Sequence, residues 1–261
     1  MPHNSKDFYT LCYETGAART PLPVWTSHHE NPLKLSATPT TPSLISITDV
    51  PTAFRVQDFL SSHEAQQFIT LAESLGFEED AAVSLTRDVR HNESLVWVID
   101  QATHDILWQR CQVLLENYLK TFSDKKPLGI NQRFRFYKYA KGDFFKPHTD
   151  GAWPASAVVN EKLIANAYND RYSLMTFLIF LNDNFKGGET TFYVHKDDST
   201  KAAKRSEDVK VVGIKPLEGS VLCFAHGTHP QHCMHGSKEI IEGSKYIIRT
   251  DLLFEKASKN T

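Results

Sequence analysis

The segment from Tyr139 to Asp150 reads YAKGDFFKPHTD and ends in the triplet His148-Thr149-Asp150. Side chains two residues apart on a strand point to the same face of the sheet. On a strand, His148 and Asp150 can therefore reach one metal ion together. The triplet alone is a weak signal, because short combinations of this kind often arise by chance.

Strand-like segments lie on both sides of this triplet. Aromatic residues alternate with arginines from 132 to 139, and 173–181 is a continuous apolar run typical of a buried strand. Turns that contain glycine or proline separate the later segments. Further short strands are predicted at 190–194, 209–214, 220–224 and 245–254.

Two helices are predicted before most of the strands. Ser61 and Glu64 form a capping-box pattern, apolar residues then recur at helical spacing, and Gly76 ends the run. A second helix is predicted from about Thr103 to Phe122. Helices followed by many short strands predict an α+β, mainly β fold, in which a double-sheet barrel has supporting helices packed outside.

Two segments lack this regularity. Residues 1–50 are rich in Pro, Thr and Ser, and we expect an irregular arm there, beside an ordered domain at 51–257. The stretch from Gly151 to Arg171 is a long connection that starts directly after Asp150. Its position favours a lid over the site.

Composition and charge weigh against several classes of partner. A formal net charge of −2 provides no basic field for nucleic acid, and no apolar run is long enough to span a membrane. Four irregularly spaced cysteines, without a C-x-x-C pattern or a signal peptide, indicate a reducing compartment, most simply the cytoplasm. The oligomeric state stays open.

A second group of candidate metal ligands lies near residue 235. Four histidines occur within ten residues: His226, His229, His232 and His235. Two histidines and one carboxylate are the ligand set of non-haem iron(II) oxygenases. Lys245, ten residues after His235, begins an apolar strand. If Lys245 lies inside the barrel, its charge requires an anion such as a dicarboxylate co-substrate. The alternative interpretation is that Lys245 lies at the end of the strand, in solvent.

Five motifs connect these residues into an ordered set. They are Y-x-x-G-x-x-[YF]-x-x-H-x-D at 139–150, Phe180-Leu181-Asn182, G-G-x-T-x-F at 187–192, G-x-x-x-x-F at 219–224, and an ending similar to H-x-x-x-x-V-x-x-G-x-K at 235–245. With this set, residues 54–254 resemble the prolyl 4-hydroxylase-like group of iron(II)- and 2-oxoglutarate-dependent dioxygenases. The resemblance implies a double-stranded β-helix, or jelly roll.

The resemblance also implies roles for particular residues. His148, Asp150 and His235 would bind the catalytic iron(II). Lys245 would bind the distal carboxylate of 2-oxoglutarate, and Tyr139 occupies a position that often hydrogen-bonds this co-substrate. Molecular oxygen would be the second co-substrate, and L-ascorbate is a further candidate ligand.

Other residues in this region allow more than one interpretation. Arg249 shares the strand parity of Lys245 and is a second candidate for the co-substrate, but an ion pair with Asp251 or Glu255 is slightly favoured. Phe180 stands where the family often has Tyr. The three further histidines are interpreted as turn residues, substrate contacts or a second metal site, in that order. A zinc site is the weaker alternative, with the ligands His229, His232, Cys233 and His235.

The implied activity is hydroxylation of an unactivated C–H bond coupled to conversion of 2-oxoglutarate into succinate. The implied substrate is a prolyl residue in a protein or peptide. Two alternatives are a hydroxylase of a free amino acid or other small molecule, and a non-catalytic binding module on a jelly-roll fold.

Overall fold

The computed structural model describes residues 5–16, 18–79, 88–120 and 125–256. Two α-helices lie in these ranges, α1 (Ser62–Leu75) and α2 (Gln101–Leu119), with short 3-10 helices at Ser5–Asp7 and Ser206–Asp208. None of these helices combines the length and the apolarity that a membrane crossing requires. The strands are β1 (Phe8–Thr15), β2 (Pro21–Ser27), β3 (Ser43–Ser46), β4 (Phe54–Gln57), β5 (Arg90–His91), β6 (Glu93–Val98), β7 (Pro127–Ile130), β8 (Arg133–Tyr139), β9 (Phe144–His148), β10 (Ala157–Val159), β11 (Lys162–Ile164), β12 (Arg171–Phe180), β13 (Lys186–Gly187), β14 (Thr190–His195), β15 (Asp198–Ala202), β16 (Val209–Ile214), β17 (Val221–Ala225), β18 (His235–Ser237), β19 (Ile240–Glu242) and β20 (Lys245–Glu255).

Two sheets face each other. The larger has the order β1-β2-β6-β8-β20-β12-β17-β4-β3, with β7 also on β20, and the smaller has the order β15-β14-β18-β9-β5, with β16 on β14. Phe192 of the smaller sheet packs edge-on against Phe224 of the larger, with ring centroids 5.0 Å apart. Both belong to one core cluster between the sheets. The predicted β-rich jelly roll is confirmed.

The helices cover the other face of the larger sheet. Because side chains alternate along a strand, Phe134 and Phe136 of β8 face a second core cluster, while Tyr137 and Tyr139 belong to the core between the sheets. Phe68 of α1 packs on Phe136, with ring centroids 6.2 Å apart. The predicted placement of the helices outside the barrel is confirmed, and the inner face of β8 is left to line a cavity.

The helix boundaries follow from their capping residues. Ser61 caps α1 and accepts a hydrogen bond from the Glu64 amide, and Glu64 accepts one from the Ser61 amide, as the capping-box pattern predicts. The second helix begins two residues before its predicted start because Asp100 is the cap and accepts from the Thr103 amide at 2.8 Å. Residues 121–124, where its predicted end lies, are outside the described residues.

The expectation of an irregular N-terminal arm is wrong for Phe8–Thr15 and Pro21–Ser27, which are strands. Strand β2 pairs with β1 and, in parallel, with β6, so this segment extends the larger sheet. Leu22 and Val24 alternate inward from β2 and are buried. Pro21 stands at the first position of the strand, where a proline is tolerated. A domain boundary at residue 50 stays a prediction.

The connection at 151–171 is also more regular than expected. It contains the hairpin β10–β11, whose turn residues Asn160 and Glu161 have φ of 48° and 57°. Two consecutive residues with positive φ are typical of the tight turns that suit the twist of a hairpin. A role for this connection as a lid stays a prediction.

A buried ion pair anchors α1 to α2 and yields the first prediction. Glu64 and Arg110 are 6% and 1% exposed and lie 2.6 Å apart. Glu64→Ala should lower the free energy of unfolding by about 3–5 kcal/mol, because it leaves the Arg110 charge buried without its partner. Urea denaturation provides the measurement.

The matched control is Glu242→Ala, which removes an exposed pair with Lys186. It should change the free energy of unfolding by less than about 1 kcal/mol. Equal effects of the two variants would contradict the structural role of the Glu64–Arg110 pair.

Candidate metal centre

Three side chains bring candidate ligand atoms together between the sheets. His148 ends β9 and is the register partner of His235, which begins β18. The Nε2 atoms of His148 and His235 lie 3.8 Å and 3.5 Å from the two carboxylate oxygens of Asp150. Within the described ranges this is the one group of three or more His, Cys, Asp or Glu residues whose ligand atoms all lie within 4.8 Å of one another.

The two imidazoles are oriented for metal binding. The carbonyl oxygens of Lys146 and Cys233 lie 2.8 Å and 3.3 Å from Nδ1 of His148 and His235. An N–H at each Nδ1 leaves Nε2 with a free lone pair directed into the site. Burial, with a smaller contribution from the charge of His235, lowers the pKa of His148 to about 4. His148 is therefore neutral at neutral pH, as a metal ligand must be.

Asp150 is held by the larger sheet. It lies two residues beyond the end of β9, so strand parity does not position its side chain as the sequence had suggested. Thr176 of β12 donates to Asp150 Oδ2 at 2.7 Å, and Nε of Arg249 on β20 donates to the same oxygen at 3.0 Å. Burial alone would raise the pKa of Asp150, but His235 and His148 outweigh it and hold the pKa below its usual range.

His226 supports this arrangement from behind. It is 1% exposed, and its Nδ1 and Nε2 lie 2.8 Å from Thr176 Oγ1 and 2.6 Å from Ser173 Oγ. The single hydroxyl proton of Thr176 is directed to Asp150, so Nδ1 of His226 is the donor to Thr176. Among the further histidines, His226 is therefore a positioning residue for the Asp150 carboxylate.

The remaining histidines form consecutive turns. The amide of His229 donates to the carbonyl of His226, and the amide of His232 donates to the carbonyl of His229, both at 3.1 Å. Neither of these side chains joins Cys233 and His235 in a metal-binding group among the described residues. The alternative zinc site is thus not supported.

Lys245 lies inside the barrel. It is 1% exposed, which overturns the alternative of a solvent-exposed strand end. Its Nζ donates to the Gly188 carbonyl at 2.7 Å and to Ser237 Oγ at 3.0 Å, and it contacts no carboxylate in the described ranges. Burial, partly opposed by Glu189, lowers the pKa of Lys245 to about 7. Tyr139 flanks it, with Nζ 5.4 Å from the ring centroid.

Arg249 forms the ion pair with Asp251 that the sequence favoured, at 3.5 Å. It also binds Asp150, a partner that was not expected, and donates from Nη2 to the Gly151 carbonyl at 3.2 Å. This arginine therefore positions a candidate ligand.

The candidate ligands open into one cavity of about 200 Å³. The cavity residues that sequence reasoning missed include Arg90, Arg135, Trp153 and Thr176. Strand parity could have found Arg135, which lies four residues before Tyr139 on β8. No local signal distinguishes Thr176 inside an apolar run.

The residues present fit an iron(II) ion with a dicarboxylate. Two neutral imidazoles and one carboxylate leave coordination positions open, as the ligand set of non-haem oxygenases requires. The buried Lys245 ammonium, which contacts no carboxylate among the described residues, provides a charge for an anion in the same cavity.

Comparisons with known proteins agree with this geometry. The model of the 2OG-Fe(II) oxygenase superfamily matches residues 134–250, which include all three candidate ligands and Lys245. Two Arabidopsis thaliana proteins are similar in sequence. Probable prolyl 4-hydroxylase 7 is 26% identical over 213 residues, and probable prolyl 4-hydroxylase 6 is 27% identical over 210 residues. Each alignment covers 75% of this chain but only 60% and 67% of the respective relative.

A solved structure shows the same fold. It is a prolyl hydroxylase from Trichoplax adhaerens in complex with a peptide fragment of the hypoxia inducible factor oxygen degradation domain. The TM-score is 0.52 at 18% sequence identity, over 78% of this chain and 83% of that chain.

The hydrogen bond from Thr176 to Asp150 generates the second prediction. Thr176→Val keeps the shape but removes the hydroxyl that orients the carboxylate. We expect affinity for iron(II), measured by anaerobic titration, to fall by about 10- to 100-fold, as for other groups that orient metal ligands.

Thr250→Val is the matched control, because Thr250 is also fully buried but donates to the Asn131 carbonyl. Its iron(II) affinity should stay at the wild-type value. Unchanged affinity in Thr176→Val would show that the hydroxyl does not position a metal ligand.

Proposed function

We propose that this chain, whose residues 134–250 match the model of the 2OG-Fe(II) oxygenase superfamily, is a 2-oxoglutarate-dependent dioxygenase that hydroxylates an unactivated C–H bond. The observation that carries the proposal is the grouping of His148, Asp150 and His235 in the same cavity as the buried Lys245. The iron site and the anion-binding lysine are the two parts that this reaction needs.

His148, Asp150 and His235 would hold the iron(II). When bound, iron(II), 2-oxoglutarate and oxygen supply the oxidising power, with the co-substrate converted into succinate and carbon dioxide. The protein contributes orientation. Nδ1 contacts with backbone carbonyls fix both imidazoles, and Thr176 and Arg249 fix the carboxylate. Ligands held in this way need little rearrangement when the metal binds.

Lys245 would bind the distal carboxylate of 2-oxoglutarate. Its Nζ lies 5.4 Å and 5.9 Å from the ring centroids of Tyr139 and Phe180, and it donates to Ser237 Oγ. Tyr139 lines the same cavity, and we propose that its hydroxyl group hydrogen-bonds the co-substrate. Arg249 is assigned to Asp150 instead of the co-substrate, because its Nε donates to that carboxylate.

The proposed substrate is a prolyl residue in a protein or peptide. Support comes from the similarity to two plant proteins named as probable prolyl 4-hydroxylases. Aromatic and apolar side chains, including Phe145 and Trp153, line the cavity and suit a small ring. Mass spectrometry for the gain of one oxygen atom, in peptides and separately in small molecules, distinguishes a prolyl substrate from a free amino acid.

We also propose that the enzyme works in the cytosol. All four cysteines are free thiols: Cys12, Cys111, Cys223 and Cys233. Free thiols are typical of a reducing compartment.

The third prediction tests the iron site. Anaerobic addition of iron(II) and then 2-oxoglutarate should produce a weak visible charge-transfer band, and admission of oxygen should yield succinate even without substrate. Asp150→Ala should abolish both signals because it removes a ligand. Asp170→Ala, which removes an exposed carboxylate outside the cavity, should retain both. A wild-type protein without band and succinate would refute the proposed function.

The fourth prediction concerns the pH dependence of 2-oxoglutarate binding. The pKa of Lys245 is lowered to about 7, so the ammonium is present below that pH and is lost above it. The anaerobic Kd should therefore rise by up to about tenfold per pH unit above about pH 7.

Lys245→Arg provides the control, because arginine stays charged throughout this range. Its Kd should change little with pH, and Lys245→Met should bind weakly at every pH. A pH dependence that is the same in wild type and Lys245→Arg would show that Lys245 is not its cause.

A further inference from the structure

The cavity carries more positive charge than the protein around it neutralises. Among the described residues, four cationic side chains line it: Arg90, Arg135, Lys245 and Arg249. Asp150 is the one carboxylate among these described lining residues, and Asp251 is fully buried behind them. The two charges of 2-oxoglutarate would offset those of iron(II). Two carboxylates then face four cations, so the loaded site retains a positive charge that favours an anionic substrate.

Arg135 is a buried cation with few hydrogen-bond partners among the described residues. Its side chain is 7% exposed, and Nη2 makes a long hydrogen bond to Asp251 Oδ1 at 3.4 Å. Arg249 shares that oxygen at 3.5 Å. The Nε atom of Arg135 is buried and has no hydrogen-bond partner in the described ranges. A guanidinium offers five N–H donors, and a buried one is normally paired.

Trp153 packs against this guanidinium. Its ring lies 4.5 Å from Cζ of Arg135, and its backbone amide donates to Asp251 Oδ2 at 3.2 Å. Arg133 contacts the same ring at 4.9 Å but pairs with Glu14. Of the two arginines on this tryptophan, Arg135 is the one that lines the cavity.

Arg90 adds a second charge at the same cavity. Its guanidinium lies over the rings of Tyr137 and Phe145, 5.6 Å and 5.5 Å from their centroids. No ion pair between Arg90 and a carboxylate occurs in the part of the chain that the structure describes. A carboxylate entering the cavity would therefore meet Arg90 and Arg135 with little competition from the protein's own acids.

We propose that Arg135, supported by Trp153, binds a carboxylate of the substrate, so that the site selects anionic substrates. A planar carboxylate matches the fork of N–H donors on a guanidinium. The carboxylate has two sources, an acidic side chain next to a prolyl residue or the α-carboxylate of proline itself. This inference rests on the proposed function for the identity of the site as a substrate site.

The test is isothermal titration of matched probes into the protein loaded anaerobically with iron(II) and 2-oxoglutarate. One pair is an N-acetylated, C-amidated prolyl peptide with Glu or Gln next to proline, and the other is N-acetylproline and its amide. We expect wild type to bind the acidic member of at least one pair about tenfold or more tightly. The pair that shows the preference identifies the source of the carboxylate.

Three variants assign the preference to Arg135. Arg135→Gln should abolish it, and Arg135→Lys should reduce it because lysine lacks the planar fork. Arg133→Gln is the matched control, since Arg133 contacts the same tryptophan from outside the cavity, and it should keep the wild-type preference. If Arg135→Gln does not fold, the comparison of Arg135→Lys with wild type decides.

Equal affinity of wild type for both members of both pairs would overturn the inference, as would a preference that Arg135→Gln and Arg135→Lys both retain. The titration needs no turnover. The same probes are also titrated into the Lys245→Met variant without added metal, so that binding of the probe is measured apart from iron(II) and 2-oxoglutarate. A carboxylate preference that depends on Arg135 but accompanies no charge-transfer band would reject the proposed function and leave the anion site standing.

Discussion

Charges buried between two apolar sheets must be matched, because an unpaired buried ion costs several kcal/mol. In this protein, the hydrogen bonds and ion pairs that match the buried charges also join the two sheets. Asp150 follows a strand of the smaller sheet, while its partners Thr176 and Arg249 belong to the larger sheet. Arg249 and Arg135 lie opposite each other on neighbouring strands and share the buried Asp251. Closure of the barrel and placement of the candidate metal ligand thus depend on the same interactions.

The charges that remain unmatched point to the ligands. Among the described residues, Lys245 donates only to neutral oxygen atoms, and the buried Nε of Arg135 has no partner. A dicarboxylate and an anionic substrate would supply these partners. The protein's own acids are directed elsewhere: Asp150 faces two imidazoles and Asp251 lies between two arginines. One cavity would therefore hold separate sites for co-substrate and substrate.

Local patterns predicted the parts of this structure that depend on neighbouring residues. The strand at 209–214 has its predicted bounds, and the interval from His235 to Lys245 selected one of four histidines for the metal group that the structure brings together. Contacts between distant segments could not be predicted in this way. Thr176 bonds to Asp150, 26 residues earlier in the chain, and His226 bonds to Thr176, 50 residues earlier. Similarly, β2 is a strand because β1 and β6 lie beside it.

A crystal structure of the protein with manganese(II) and 2-oxoglutarate, grown without oxygen, tests the central claim most directly. Anomalous scattering should place one metal ion bound by Nε2 of His148, Nε2 of His235 and a carboxylate oxygen of Asp150. The distal carboxylate of 2-oxoglutarate should contact Nζ of Lys245. A metal ion bound instead by His229, His232 and Cys233, or a co-substrate that does not contact Lys245, would contradict the account.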